Sequence, residues 1–147
     1  MFIYKDCIPP SCSYSFYMKK LLLISTLLFS SPSYAEWTKV SKSVNGNTYY
    51  VDVEKIEKVD GYVYFWRLRD YPKPDEDGDL SSKIYHQGDC IKFQYKYLSG
   101  SFHKRPMGGG TGHTPPVPEK HKDWKQPSPN SLMEEILKLI CEYAYTK

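Results

Sequence analysis

DGYVYFWRLRDY, residues 60–71, holds the densest apolar mass of the chain, and its alternation decides the fold. Side chains on a strand point alternately to opposite faces, so Tyr62, Tyr64, Trp66 and Leu68 fall on one side, and Val63, Phe65, Arg67 and Arg69 on the other. The second side turns from apolar to charged along its length. A strand buried on one side and half-buried on the other belongs in the middle of an antiparallel sheet, with a helix over one face. The expectation is an α+β domain in which an antiparallel sheet is packed by one C-terminal helix.

Upstream of that domain the chain carries a targeting signal. Met18-Lys19-Lys20 is a basic start, Leu21–Phe29 is an apolar run, and Ser33-Tyr34-Ala35 supplies small residues where a signal peptidase cuts. The apolar run is too short for a bilayer crossing, which takes about 20 residues, so a signal peptide over 18–35 is expected and no membrane span. Residues 1–17 precede a normal start and read as an upstream extension, and Cys7 and Cys12 belong to it. A lipid-anchored surface protein would present Cys directly after the cut; Glu36 stands there, so no lipid anchor is expected. Residues 36–147 form one domain with a modest core, periplasmic or secreted.

Charge excludes one class of partner. Of 20 basic and 17 acidic residues, the leader removes Lys5, Lys19, Lys20 and Asp6, which leaves the domain almost neutral. Neither that balance nor export suits nucleic-acid binding.

Working outward from residues 60–71, two hairpins are expected before the acidic turn. Glu36–Ser43 alternates and meets Asn45-Gly46, a tight-turn signal, with Thr48–Val53 returning. Asp52–Ile56 reads either as a short helical turn or as a continued strand, and Lys58-Val59-Asp60-Gly61 as a second tight turn. Pro72 and Pro74 end the central strand. Asp75–Asp79 lacks the ligand spacing of an EF-hand, since Ile84 stands six residues past Gly78, and it reads as a solvated turn. Leu80–Gln87 and Asp89–Leu98 read as strands around Gly88-Asp89, with Cys90 opening the second. From Ser99 to Asn130 glycine and proline end regular structure. That stretch is either a flexible loop or an extended arm along the sheet, anchored by Trp124; its glycines lack the Lys and Ser/Thr of a phosphate loop.

The last element is a helix. Ser131–Glu134 forms a capping box, and Met133, Ile136, Leu137, Ile140, Cys141 and Ala144 recur on one stripe. In an oxidising compartment the isolated pair Cys90 and Cys141 reads as a disulfide, a clasp between helix and sheet.

Few residues point to catalysis. His86, His103, His113 and His121 lack zinc-site spacing and read as solvated. The paired cysteines leave no thiol nucleophile, and no Gly-x-Ser-x-Gly elbow is present, so no enzyme, metal or cofactor is expected. Arg67 and Arg69, with Lys104 and Arg105, are the candidate ligand-binding residues, a basic face for an anionic or protein partner; the alternative is that their stems cover apolar sheet edges. An unguarded sheet edge would provide a homodimer contact.

WTKVSKSVNGNTYYVD (37–52), GYVYFW (61–66), SSK (81–83), the DC at 89–90 and ILKLIC (136–141) together resemble the surface-adhesin protein E family of small exported bacterial proteins. The resemblance spans Trp37 to Cys141. It implies an antiparallel sheet with a C-terminal helix, and a non-enzymatic binding module; the family takes its name from a member that binds host matrix and serum proteins. Against this stands a second expectation, a soluble periplasmic accessory protein such as an inhibitor or envelope-stress protein with no adhesive role.

Overall fold

The computed structural model describes residues 36–146. The expected signal peptide and the 1–17 extension lie outside the described residues. Seven strands form one antiparallel sheet: β1 (Trp37–Lys42), β2 (Thr48–Asp52), β3 (Glu57–Val59), β4 (Tyr62–Asp70), β5 (Ser81–Asp89), β6 (Gln94–His103) and β7 (Gly112–His113). One helix, α1 (Leu132–Thr146), follows. The sheet order is β1-β2-β4-β5-β6-β7, and β3 also pairs with β4, continuing the line of β2 past the short 3-10 turn Val53–Lys55. β4 is thus the central strand that residues 60–71 predict.

The turns show how local chemistry sets register. Asp60 and Gly61 both take positive φ, 49° and 81°, the two-residue turn that suits the twist of β3 and β4. At the first hairpin only Gly46 is left-handed, with φ 84°. Gly46 N–H donates to the Ser43 carbonyl and Ser43 N–H to the Asn47 carbonyl, so the loop is one residue longer than the Asn-Gly pair suggests.

Two sequence expectations change here. The β5–β6 turn lies over Cys90–Phe93 rather than at Gly88-Asp89, because the Asp89 carboxylate accepts from the backbone N–H groups of Ile91 and Lys92 and so offers a local turn in place of a ladder. Cys90 therefore sits in the turn, and Ile91, placed by alternation on an apolar face, is exposed. The second change is at Ser99. β6 runs on to His103 through a bulge at Leu98, opposite Tyr85/His86, and β7 pairs with it at Phe102 and His103.

The segment after β6 is an arm, not a free loop. Residues 105–108 fold over the far end of one sheet face: Met107 N–H donates to Asp70 Oδ1 at 2.7 Å, Gly108 N–H to Ser81 Oγ at 2.9 Å, and Ser81 Oγ to the Arg105 carbonyl at 2.6 Å. This closure helps leave Leu68 wholly buried on a face otherwise half-exposed. Further on, Lys125 pairs with Tyr95 through both backbone groups, while Trp124 stacks on Tyr62 with centroids 5.6 Å apart.

The core lies between the other face and α1. Val51, Val63, Phe65 and Tyr95 meet Met133, Ile136, Leu137 and Ile140. Burial of each large apolar side chain stabilises the fold by about 1.5–3 kcal/mol. Half of the expected capping box forms: Glu134 N–H donates to Ser131 Oγ, while Glu134 Oε2 accepts at 2.6 Å from the N–H of Asn130, one residue before the cap, because Ser131 N–H is taken by the Ser128 carbonyl. Gly88 lets helix and sheet pack closely, since a Cβ there would lie 2.9 Å from Val63 Cγ2 and 3.1 Å from Leu137 Cδ1. Cys90 and Cys141 form the expected disulfide, with Cα atoms 5.7 Å apart.

Candidate functional site

α1 covers only part of its sheet face. In register, Phe65 pairs with His86, Arg67 with Ile84 and Arg69 with Ser82, so one face passes from the apolar residues under the helix to two guanidinium groups beyond it. Arg67 and Arg69 are half-buried. Arg67 Nη1 donates to Met133 Sδ at 3.4 Å, a weak acceptor at the rim of the core. The Nε of each arginine is buried without a hydrogen-bond acceptor. Tyr49 lies between them, 6.0 Å from Arg67 and 5.6 Å from Arg69, and the Tyr71 ring is 4.8 Å from Arg69. Among the described residues neither arginine forms a salt bridge; the acidic partners found go to lysines and to His113.

Lys104 and Arg105 have other environments. Lys104 Nζ sits 2.9 Å from Asp79 Oδ1 and donates to the Asp77 carbonyl at 2.6 Å, so its charge is matched. Asp79 is buried, and its backbone N–H donates to Asp75 Oδ1, which closes the acidic turn on itself. Arg105 is exposed at the start of the arm. The structure thus brings Arg67 and Arg69 together and leaves Lys104 and Arg105 beyond the end of β6.

Sequence reasoning missed a cavity of about 300 Å³ on the same face. Its floor is Ile84, Gly100 and Phe102, and its outer wall is the strap Pro115–Pro118. The register places it beside the arginines, because Ile84 joins Arg67 to Gly100, and Ser82 joins Arg69 to Phe102. No periodic signal marks it, since one wall is proline coil and the other depends on the bulge in β6.

Two histidines expected in solvent are buried, His86 completely and His103 at 7% exposure. His86 packs between Phe65 and Tyr97, with centroids 5.1 and 4.7 Å away. Burial, and then the charge of Arg67, pushes its pKa well below the usual histidine value. Burial and Lys83 lower His103 as well. The described residues hold no cluster of His, Cys, Asp or Glu with the geometry of a metal site.

The opposite face carries cross-strand aromatic pairs. Tyr85 meets Trp66 at 4.7 Å and Tyr64 at 6.2 Å, and Lys96 lies over Trp124. These rings turn their faces to one another, which stabilises the sheet pair by pair.

A small antiparallel sheet with one C-terminal helix, clasped to it by a disulfide, defines the class of α+β domain to which the chain belongs. The sequence model of surface-adhesin protein E matches residues 37–142, and the chain belongs to that family. Solved structures of Haemophilus influenzae protein E have the same fold. One crystal form has a TM-score of 0.60 at 20% identity, covering 78% of this chain and 92% of that one. A second structure gives 0.59 at 18% identity, covering 78% and 89%. Protein E from the non-typeable organism gives 0.55 at 20% identity, covering 76% and 79%. No curated protein matches the chain.

Proposed function

We propose that this protein is an exported, non-enzymatic binding module of the adhesin type, which captures a protein partner through the part of the helix-side face that α1 leaves open. One observation carries the reading: Arg67 and Arg69 stand side by side, half-buried, against tyrosine rings and without a carboxylate of their own. Holding two guanidinium groups partly out of water without a counter-charge is unfavourable, and a partner's carboxylates would restore the balance. Lys104, matched by Asp79, and Arg105, whose arm folds over the other face, stand outside this surface.

Membership of the adhesin family supports export and display. Glu36 at the expected cut site favours a periplasmic or secreted protein without a lipid anchor. A homodimer through a sheet edge would use β1, since β7 and Lys125 already cover parts of β6.

The experiment is a biosensor screen of the purified protein against matrix, serum and envelope proteins, repeated with Arg67→Ser/Arg69→Ser. A ligand whose affinity falls at least tenfold in the double variant, and also with added salt, supports the reading. A ligand bound equally well by the variant removes the basic face from the site. Absence of any ligand, with release of the protein by osmotic shock alone, replaces adhesion with the periplasmic accessory role.

A further inference from the structure

The basic pair and the cavity beside it ask for different chemistry from the same ligand. The cavity floor of Ile84, Gly100 and Phe102 is one cross-strand step from Arg67 and two from Arg69, and such steps are about 4.8 Å each. Its wall, Pro115–Pro118, adds apolar surface and, over the prolines, no backbone N–H donor. Gly100 leaves the floor low: a Cβ there would approach Ile84 Cδ1 to 2.7 Å. At about 300 Å³ the space is large enough for one large apolar side chain.

The arginines are spaced i and i+2 on β4, so their bases stand about 7 Å apart, and two separate carboxylates match them better than one head group. An extended peptide sets its same-side groups at this interval. Salt bridges elsewhere occupy Lys104, whereas nothing among the described residues neutralises Arg67 or Arg69.

We propose that the site recognises a short acidic peptide segment of a protein partner, in which carboxylates at alternate positions meet Arg67 and Arg69 and the chain turns across β5 to place an apolar side chain in the cavity. This inference rests on the basic-face reading above and adds the cavity and the ligand's pattern to it. Phe102 and Ile84 are then specificity-determining, and Arg67 and Arg69 supply the charge.

The test uses the purified protein and acetyl-Leu-Ser-Glu-Ser-Glu-amide, followed by NMR. The peptide is expected to move the Gly100 and Phe102 amide signals and the Arg67 and Arg69 Nε signals along one binding curve. Replacing its leucine by alanine should weaken binding about tenfold, and replacing both glutamates by glutamine at least tenfold. Phe102→Ala should abolish the preference for leucine while keeping that for glutamate, and Arg67→Gln/Arg69→Gln should do the reverse. Equal binding of the leucine and alanine peptides, tighter binding of decanoate, or no shift at millimolar peptide would overturn the inference. The basic-face reading fails separately, if a protein ligand binds the arginine double variant as tightly as the parent.

Discussion

The two halves of the helix-side face share strands but not physics. Under α1, Val63 and Phe65 are fully buried against Ile136, Leu137 and Ile140, and a disulfide fastens helix to turn. Beyond the helix, two residues further along β4, the same face carries Arg67 and Arg69, and its cover is a proline strap over a cavity. Close packing fixes the first half; the second is held at its ends by backbone pairs at β7 and Lys125. On the reading proposed above, stability resides in one half and recognition in the other, a division open to graded perturbation.

The largest effect is expected from Phe65→Ala, which empties the centre of the packed half. Loss of transfer free energy plus the residual cavity should destabilise the domain by about 3–5 kcal/mol in denaturant unfolding. Removal of the clasp comes next. Cys90→Ser/Cys141→Ser frees a 51-residue separation, for which the chain-entropy model gives about 4 kcal/mol, with strain and residual structure bringing such losses to roughly 2–4. Thiol titration of the denatured parent should find no free cysteine in residues 36–147. If the double variant unfolds at the parent's denaturant midpoint, the packed half does not need its clasp.

What the sequence reveals follows the same division. Residues 60–71 and the stripe from Met133 to Ala144 are periodic, and periodicity reports burial against a regular partner, so strand, helix, core and disulfide are all legible. The β5–β6 turn is not, because one Asp89 side chain overrides the alternation of Cys90–Phe93. His86 is hidden for a related reason. Its letter suggests solvent, but its register opposite Phe65 places it in the core. At the site, Arg67 and Arg69 can be seen on one face from alternation alone; the cavity beside them cannot, since prolines signal only that a ladder stops and not where the chain then lies.

His86 marks the boundary between the halves, and pH tests it. Its folded pKa lies well below the value near 6.5 of the unfolded chain, so the unfolded state binds more protons as pH falls below about 6.5. Stability contributed by the neutral ring is full above that value and is lost as pH drops toward the folded pKa. Between pH 7 and pH 5 the loss should reach up to about 2 kcal/mol, at no more than about 1.4 kcal/mol per pH unit. His103 and His121 are also lowered and add in the same direction. His86→Phe, which keeps an aromatic ring between Phe65 and Tyr97, should flatten most of this slope. A slope unchanged in that variant would mean that other groups govern the acid response.

The smallest effect on global stability belongs to Trp124, which anchors the segment after the strap on the opposite face. Its ring stacks on Tyr62 and carries Lys96 above it, and the next residue, Lys125, makes both backbone bonds to Tyr95. An aromatic pair of this kind is worth about 0.5–1.5 kcal/mol beyond its burial, and this segment adds little to the core under α1. Trp124→Ala should therefore lower the unfolding free energy by only about 1 kcal/mol. Locally the change should be larger, because with the anchor gone the Lys125–Tyr95 bridge can open without unfolding the sheet. Hydrogen exchange at the Lys125 and Tyr95 amides should quicken at least tenfold, while the amides of Phe65 and Ile140 keep their protection apart from the small global change. Equal acceleration across this segment and the core would show one cooperative unit, and the division between a packed half and an adaptable half would then be wrong.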